Sequence, residues 1–309
     1  MSRIIFVPQF PTPLRYQEFF FTEIPNELSK HYDEVIVLGK GVAPRDGVEY
    51  DKKLFSPIDT ACQVEIYQMR EYMALKLKGD DTLLHMDLSF PGLFHNILYH
   101  KRPMNCYCYC HATSLNTGDL FEWDRNSKWH TELGNSKLYD RIFVGSKYHA
   151  DKLRLANTEV VGLPIPPFPT FKEEKIYDII SVARPNPQKV DAELENHVKK
   201  LFGPIVRKEC KTWEEYYKFL SSAKILLISS IEDTFNYSIM EAILNNTIVL
   251  APNRCSYPEL LPSEYIYYDR TNLDLKIKYY LNNYKLVPEL LCLDMCKNFY
   301  NNISNIIKQ

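Results

Sequence analysis

This chain is short of several things, and each absence narrows its class. No apolar run approaches the roughly 18 residues that a membrane-spanning helix needs. Neither sign of charge dominates: 37 Lys and Arg stand against 39 Asp and Glu, for a net charge of −2. That balance argues against a protein that wraps nucleic acid over its whole surface, although it leaves room for a local basic patch. The N-terminus, M-S-R-I-I-F-V-P-Q-F, has a short apolar run but no cleavage site, so a first β-strand is expected there and not a leader peptide. A D-x-D metal motif is missing as well; Asp80-Asp81 follows Gly79 before a strand and reads as a turn and cap. No metal and no cofactor is therefore expected.

What is present is ordinary soluble composition, 45% apolar and 25% charged, in a 309-residue chain long enough for two domains. The richness in Lys, Asn, Ile and Tyr points to an AT-rich bacterial or viral genome. Eight cysteines without a secretory signal fit a reducing compartment, so a cytoplasmic location is expected. Cys106, Cys108 and Cys110 alternate and would share one face of a strand, with Tyr107, Tyr109 and His111 on the other. Successive same-face positions lie about 6.6–7 Å apart, too far for all three thiolates to reach one zinc. Packed apolar thiols are the better reading.

Strand and helix patterns alternate along the whole length, which predicts α/β architecture with parallel sheets covered on both faces. Strands are expected at Arg3–Val7, Glu34–Leu38, Thr82–Asp87, Asn105–His111, Arg141–Gly145 and Glu159–Val161. A second set is expected at Asp178–Ala183, Ile205–Lys208, Lys224–Ser229, Thr247–Ala251 and Tyr265–Tyr268. The proline-rich stretch Gly162–Lys175 separates the two sets. The expected division is residues 1–165, residues 166–287, and a C-terminal amphipathic helix within 288–309.

The richest chemistry lies at Asp233–Glu241, D-T-F-N-Y-S-I-M-E, after the apolar run Ile225–Ile228. A strand that turns through small polar residues into a helix presents unpaired amides and the positive end of a dipole. A phosphate suits that position. Asp233 in the turn and Glu241 inside the helix can face different parts of one ligand, a geometry that suits a sugar nucleotide. Upstream, the buried-strand run Tyr177–Arg184 ends in a cation, and Lys189 follows after Pro185-Asn186-Pro187. Both cations can reach a diphosphate, Arg184 as a bidentate fork and Lys189 as a point charge.

On these residues the chain resembles the retaining nucleotide-sugar glycosyltransferases of the GT-B fold, the group that includes glycogen and sucrose synthases. The family pattern G-R-x-x-x-x-K is met by Ala183-Arg184 through Lys189. The pattern E-G-F-G-x-x-x-x-E is met by Asp233-Thr234-Phe235-Asn236 through Glu241, with the strand Thr247–Ala251 and Pro258-Glu259-Leu260 behind it. The likeness spans roughly residues 177–262. Three departures stand out: Asp for the first Glu, Thr234 and Asn236 for both turn glycines, and Pro8–Pro13 where many relatives have a glycine-rich loop.

The resemblance implies two facing Rossmann-like domains with a ligand cleft between them, and a terminal helix crossing back to the first domain. It implies transfer from a nucleoside-diphosphate sugar, with retention and without metal. Arg184, Lys189, Asp233 and His111 are the catalytic candidates. Glu241, with Thr234, Phe235, Asn236 and Tyr237, would bind the donor, Glu241 at the ribose. The base would be read in the Val206–Lys211 loop, largely by backbone.

On the acceptor side the candidates are Arg15, Tyr16, Asp87, Asp119 and Glu122. Some have equally plain structural readings: His111 as a strand-end histidine, Asp87 as a helix-capping acid, Asp119 and Glu122 as acids favoured at a helix N-terminus. The expected partners are a nucleotide sugar and a carbohydrate or small-molecule acceptor. Two alternatives remain open. One is a nucleic-acid acceptor, DNA or tRNA, helped by Lys101 and Arg102; the other is a nucleotide-sugar epimerase or an inactive binding protein.

Overall fold

The computed structural model describes residues 2–9, 15–40, 57–118, 124–165, 168–183 and 189–308, and for residues 15–20 and 57–60 the backbone alone. The N-terminal half runs β1 (Arg3–Val7), α1 (Arg15–Leu28), β2 (Glu34–Val37), α2 (Pro57–Ala74), β3 (Thr82–His85), α3 (His95–Leu98), β4 (Asn105–Tyr109), α4 (Arg125–Ser136), β5 (Arg141–Val144), α5 (Lys147–Leu153) and β6 (Thr158–Val160). The C-terminal half runs β7 (Tyr177–Ile180), α6 (Ala192–Phe202), β8 (Ile205–Val206), α7 (Trp213–Ser221), β9 (Ala223–Leu227), α8 (Tyr237–Leu244), β10 (Ile248–Pro252), α9 (Tyr257–Leu260), β11 (Ile266–Tyr267) and α10 (Arg270–Asn282). Two helices, α11 (Leu293–Lys297) and α12 (Phe299–Ile307), close the chain.

Both sheets are parallel, in the orders β2-β1-β3-β4-β5-β6 and β11-β10-β9-β7-β8. Every strand expected from the sequence pattern is found, with ends shifted by a few residues. The two-residue period divides the first sheet cleanly. Ile5, Val7, Leu83, Cys106, Cys108, Cys110 and Ile142 pack on one side, and Ile4, Phe6, Leu84, Tyr107, Tyr109 and Phe143 on the other. Burial on both faces is what parallel strands with helical crossovers require. The three alternating thiols are core side chains, and among the described residues no group of three or more His, Cys, Asp or Glu could hold a metal ion. None of the described helices is long and apolar enough to cross a membrane.

Helix α3 is confined to His95–Leu98, because Gly92 adopts φ 97° and Glu65 of α2 captures the amides of Gly92 (3.2 Å), Leu93 and Phe94 (2.9 Å). One expectation about helices changes. The single amphipathic helix expected over Pro288–Ile307 is interrupted at Asn298, whose side chain donates back to the Asp294 carbonyl at 2.9 Å. Beyond that break, Phe299, Ile303 and Ile307 of α12 pack with Ile4, Phe6, Ile24, Leu28 and Tyr107 of the N-terminal half.

The N-terminal half buries unusually many titratable groups, and their pH effects oppose one another. Burial holds His85 and His95 below the usual imidazole value, His95 at about 4, and His149 at about 3. Such groups stabilise the fold fully above the unfolded value near 6.5 and lose that contribution as pH falls; His95 and His149 each cost about 2 kcal/mol at pH 5, and His85 acts in the same direction. Burial raises Glu65 to about 7 and Asp87 to about 6, against the backbone hydrogen bonds each accepts. These two act the other way, and together return roughly 3–4 kcal/mol between pH 7 and 5. The histidines win. Melting is expected to occur at lower temperature at pH 5 than at pH 7, and Glu65→Gln to steepen the fall. A rise in melting temperature at pH 5 would show that the histidines take up protons inside the fold.

Candidate functional site

Parallel register brings the carboxyl ends of the strands to one rim in each sheet: Val7 pairs with His85 and His85 with Cys108 in the first, Ile180 with Leu226 and Leu227 with Leu250 in the second. Ligands bind at such rims in open α/β sheets. Past β9 the chain turns through residues 228–236 into α8. Asn236 caps that helix with φ −128°, its Oδ1 accepting from the Ser238 amide at 3.0 Å. Neither Thr234 nor Asn236 has positive φ, so this turn does not need the glycines that relatives carry there.

Asp233 sits in the turn with its Oδ2 at 3.0 Å from Lys189 Nζ, 3.0 Å from Asn236 Nδ2 and 3.5 Å from the Tyr257 hydroxyl. Burial raises its carboxyl above the usual range, even with Lys189 pulling the other way. Lys189 Nζ also donates to the Glu232 carbonyl at 3.2 Å. The cation and acid that sequence spacing proposed for one ligand are thus in direct contact, 44 positions apart in the chain. At the neighbouring end of β8, Arg207 donates to both oxygens of buried Glu195 at 2.6 Å.

Glu241 occupies a different environment from Asp233. It is fully buried, accepting from the Tyr216 hydroxyl at 2.9 Å and the Tyr217 hydroxyl at 3.4 Å. Phe235 and Tyr237 turn toward the N-terminal half and join its core cluster, with the Tyr237 hydroxyl donating to the Pro164 carbonyl at 2.7 Å. Gly145 makes room for Phe235: a Cβ there would lie 3.1 Å from Phe235 Cδ2 and 3.2 Å from the Tyr109 hydroxyl.

Across the cleft, His111 follows β4 and meets the donor turn directly, its carbonyl accepting from Thr234 Oγ1 at 2.9 Å. Burial lowers its imidazole to about 3, so the ring is neutral at physiological pH. Asp87 is buried and committed, accepting from the Ser89 and Phe90 amides at 2.7 and 3.0 Å and from Gln9 Nε2 at 2.6 Å. It shapes the loop after β3. Arg184, Asp119 and Glu122 lie outside the described residues, and Arg15 and Tyr16 are described by backbone only, at the start of α1.

The basic pair considered for nucleic acid is spent elsewhere. Lys101 Nζ donates to the carbonyls of Tyr72, Met73 and Leu75 at the end of α2, and Arg102 binds the Leu138 carbonyl at 2.8 Å and Asp140 at 2.7 Å. Both precede β4, at the amino end of the sheet and away from the rim that carries His111.

Sequence reading missed a set of residues that join the two halves. Glu232 Oε1 accepts from Asn116 Nδ2 and the Tyr148 hydroxyl, both at 3.0 Å, and its Oε2 lies 2.7 Å from Lys152 Nζ. Glu259 accepts the Lys147 and Tyr148 amides at 2.7 and 2.6 Å, and Ser146 Oγ donates to the Thr234 carbonyl at 2.8 Å. Ser146 also caps α5, its side chain accepting from the His149 amide. Glu259 stands in the Pro258-Glu259-Leu260 segment of the family pattern, and for Glu232 only its adjacency to Asp233 could have flagged it.

No protein-family model and no curated protein sequence matches the chain. Among solved structures it is similar to sucrose-phosphate synthase of Thermosynechococcus elongatus, with TM-score 0.65 and 11% identity over 100% of this chain and 94% of that one. It is also similar to trehalose-6-phosphate synthase OtsA, with TM-score 0.61 and 12% identity over 100% and 99% of the two chains. For Anabaena HepE, solved in complex with UDP, the values are 0.58 and 10% over 100% and 95%. With two parallel sheets meeting at their carboxyl rims and neighbours of this kind over its whole length, the chain has the GT-B glycosyltransferase fold.

Proposed function

We propose that the chain is a glycosyltransferase that moves a sugar from a nucleoside-diphosphate sugar to a hydroxyl group of a carbohydrate or small-molecule acceptor, with retention. The observation that carries this reading is the Lys189–Asp233 contact of 3.0 Å at the head of the Asn236-capped helix, in a turn that meets His111 of the N-terminal half through Thr234. In this scheme the bond from the anomeric carbon to the diphosphate oxygen breaks and negative charge grows on the leaving group. Lys189 and the first amides of α8 stabilise that charge from fixed positions, and Arg184 adds a second cation. The charge is neutralised by these groups, so the scheme calls for no metal. The acceptor oxygen bonds to the anomeric carbon on the face the diphosphate leaves, and its proton passes to a departing phosphate oxygen.

Among the described residues the three donors to Asp233 converge on Oδ2, and in this scheme Oδ1 takes a hydroxyl of the donor sugar. His111, neutral in its ring, can hydrogen-bond the same sugar from the other side. Glu241 serves the ribose only if ribose hydroxyls share or replace the donors now supplied by Tyr216 and Tyr217. The commitment of Lys101 and Arg102 to backbone carbonyls and Asp140 favours a carbohydrate or small-molecule acceptor over nucleic acid.

The test is a thermal-shift screen against UDP, GDP, ADP, CDP and dTDP and their sugar conjugates. One nucleotide is expected to raise the melting temperature selectively, because a ligand at 100 times its Kd stabilises the fold by about 2.7 kcal/mol. No shift with any of them overturns the donor site. Inversion of a donor sugar in the absence of acceptor would mark an epimerase.

A further inference from the structure

Glu232 lies next to Asp233 yet faces away from it. We propose that Glu232 is a positioning residue, a latch through which closure of the N-terminal half sets the donor turn for transfer; this rests on the function proposed above. Its side chain is 7% exposed, and each donor identified on it comes from the other half: Lys152 and Tyr148 from α5, Asn116 from the loop after β4. Both of its oxygens are thus engaged across the seam between the halves. Its main-chain carbonyl, by contrast, is held by Lys189, the same ammonium that contacts Asp233. One residue therefore ties the N-terminal half to the catalytic pair.

The chemistry suits a reversible closure. Burial pushes the Glu232 carboxyl up, but the Lys152 and Asn116 hydrogen bonds, the Lys152 charge and Tyr148 outweigh it, so the group is ionised. Charge-assisted hydrogen bonds are strong while water is excluded. When the halves part, the same charges are rehydrated, so the latch can open without stranding a buried ion. Glu259 on the amides of α5 adds a second, parallel grip on the same helix.

The experiment compares wild type with Glu232→Gln and Lys152→Gln, in the full chain, for nucleoside-diphosphate binding, for kcat and KM of transfer, and for radius of gyration by small-angle scattering. Both variants are expected to bind the diphosphate within about threefold of wild type, to lose tenfold or more in kcat, and to scatter as a more open particle. Glu232→Asp should recover part of kcat. Circular dichroism melts establish that each variant is folded. Unchanged kcat, unchanged scattering, or nucleotide affinity falling in step with kcat would each overturn the latch. If wild type binds no nucleoside diphosphate, the donor reading fails by itself, and the scattering comparison still decides whether Glu232 holds the halves together.

Discussion

Lys189→Ala is expected to lower transfer by about 10²–10³-fold, the usual loss when one preorganised donor is removed from developing charge. Its effect on stability should be smaller but measurable. Lys189 and Asp233 are 17% and 11% exposed at their side chains, so deleting the ammonium leaves a buried carboxylate without its cation. Breaking a fully buried pair costs roughly 3–5 kcal/mol. Here Asp233 keeps hydrogen bonds from Asn236 and Tyr257, and its raised pKa lets it take up a proton, so about 2 kcal/mol is expected. Asp233→Asn alone, and combined with Lys189→Ala, separates the two effects. The double variant should recover most of the stability and none of the activity. Activity that follows melting temperature through all three variants would sink the diphosphate role of Lys189.

The largest loss of stability is expected at Phe299→Ala. Phe299 is 1% exposed and its ring centroid lies 5.9 Å from that of Tyr109 in the N-terminal half. Truncating a buried Phe costs roughly 3–5 kcal/mol, from lost transfer free energy and from the cavity left behind. In a chain of this size that corresponds to about 5–8 °C in melting temperature. The effect should exceed one ordinary core deletion locally, because Phe299 begins the helix that carries Ile303 and Ile307 onto the same surface. Leu291→Ala is the control: Leu291 is 59% exposed, and its loss should change the melting temperature little. Calorimetry that finds the two variants alike would show that α12 contributes nothing to the N-terminal core.

Much of this was legible before any coordinates. The alternation through Arg3–Val7 and Cys106–Cys110 marks both faces of a parallel sheet, because burial there repeats every two residues. Ser146, Thr212, Asn236 and Asp269 each cap the helix that follows them, by a short-range hydrogen bond to an amide two or three residues on. The approach of Lys189 to Asp233 was implied by their places after β7 and β9, which pair directly.

Other features had no local signature. Lys101 and Arg102 read as an exposed basic pair, and only the tertiary structure turns Lys101 onto carbonyls at the end of α2 and Arg102 onto the Leu138 carbonyl and Asp140 after α4. Asp87 and Glu241 read as site acids, and the hydrogen bonds they accept from the loop after β3 and from the hydroxyls of α7 have no signature in their own neighbourhoods of the chain. By itself, then, the sequence determined the strands, the helix caps and the acid–cation pair at the second sheet, since each depends on neighbours in the chain or on adjacent parallel strands. The joining of the halves was decided by tertiary structure alone. Glu232 finds Lys152 and Asn116 across 80 and 116 residues, and no pattern in the chain encodes a contact that exists only once two separate sheets have been brought face to face.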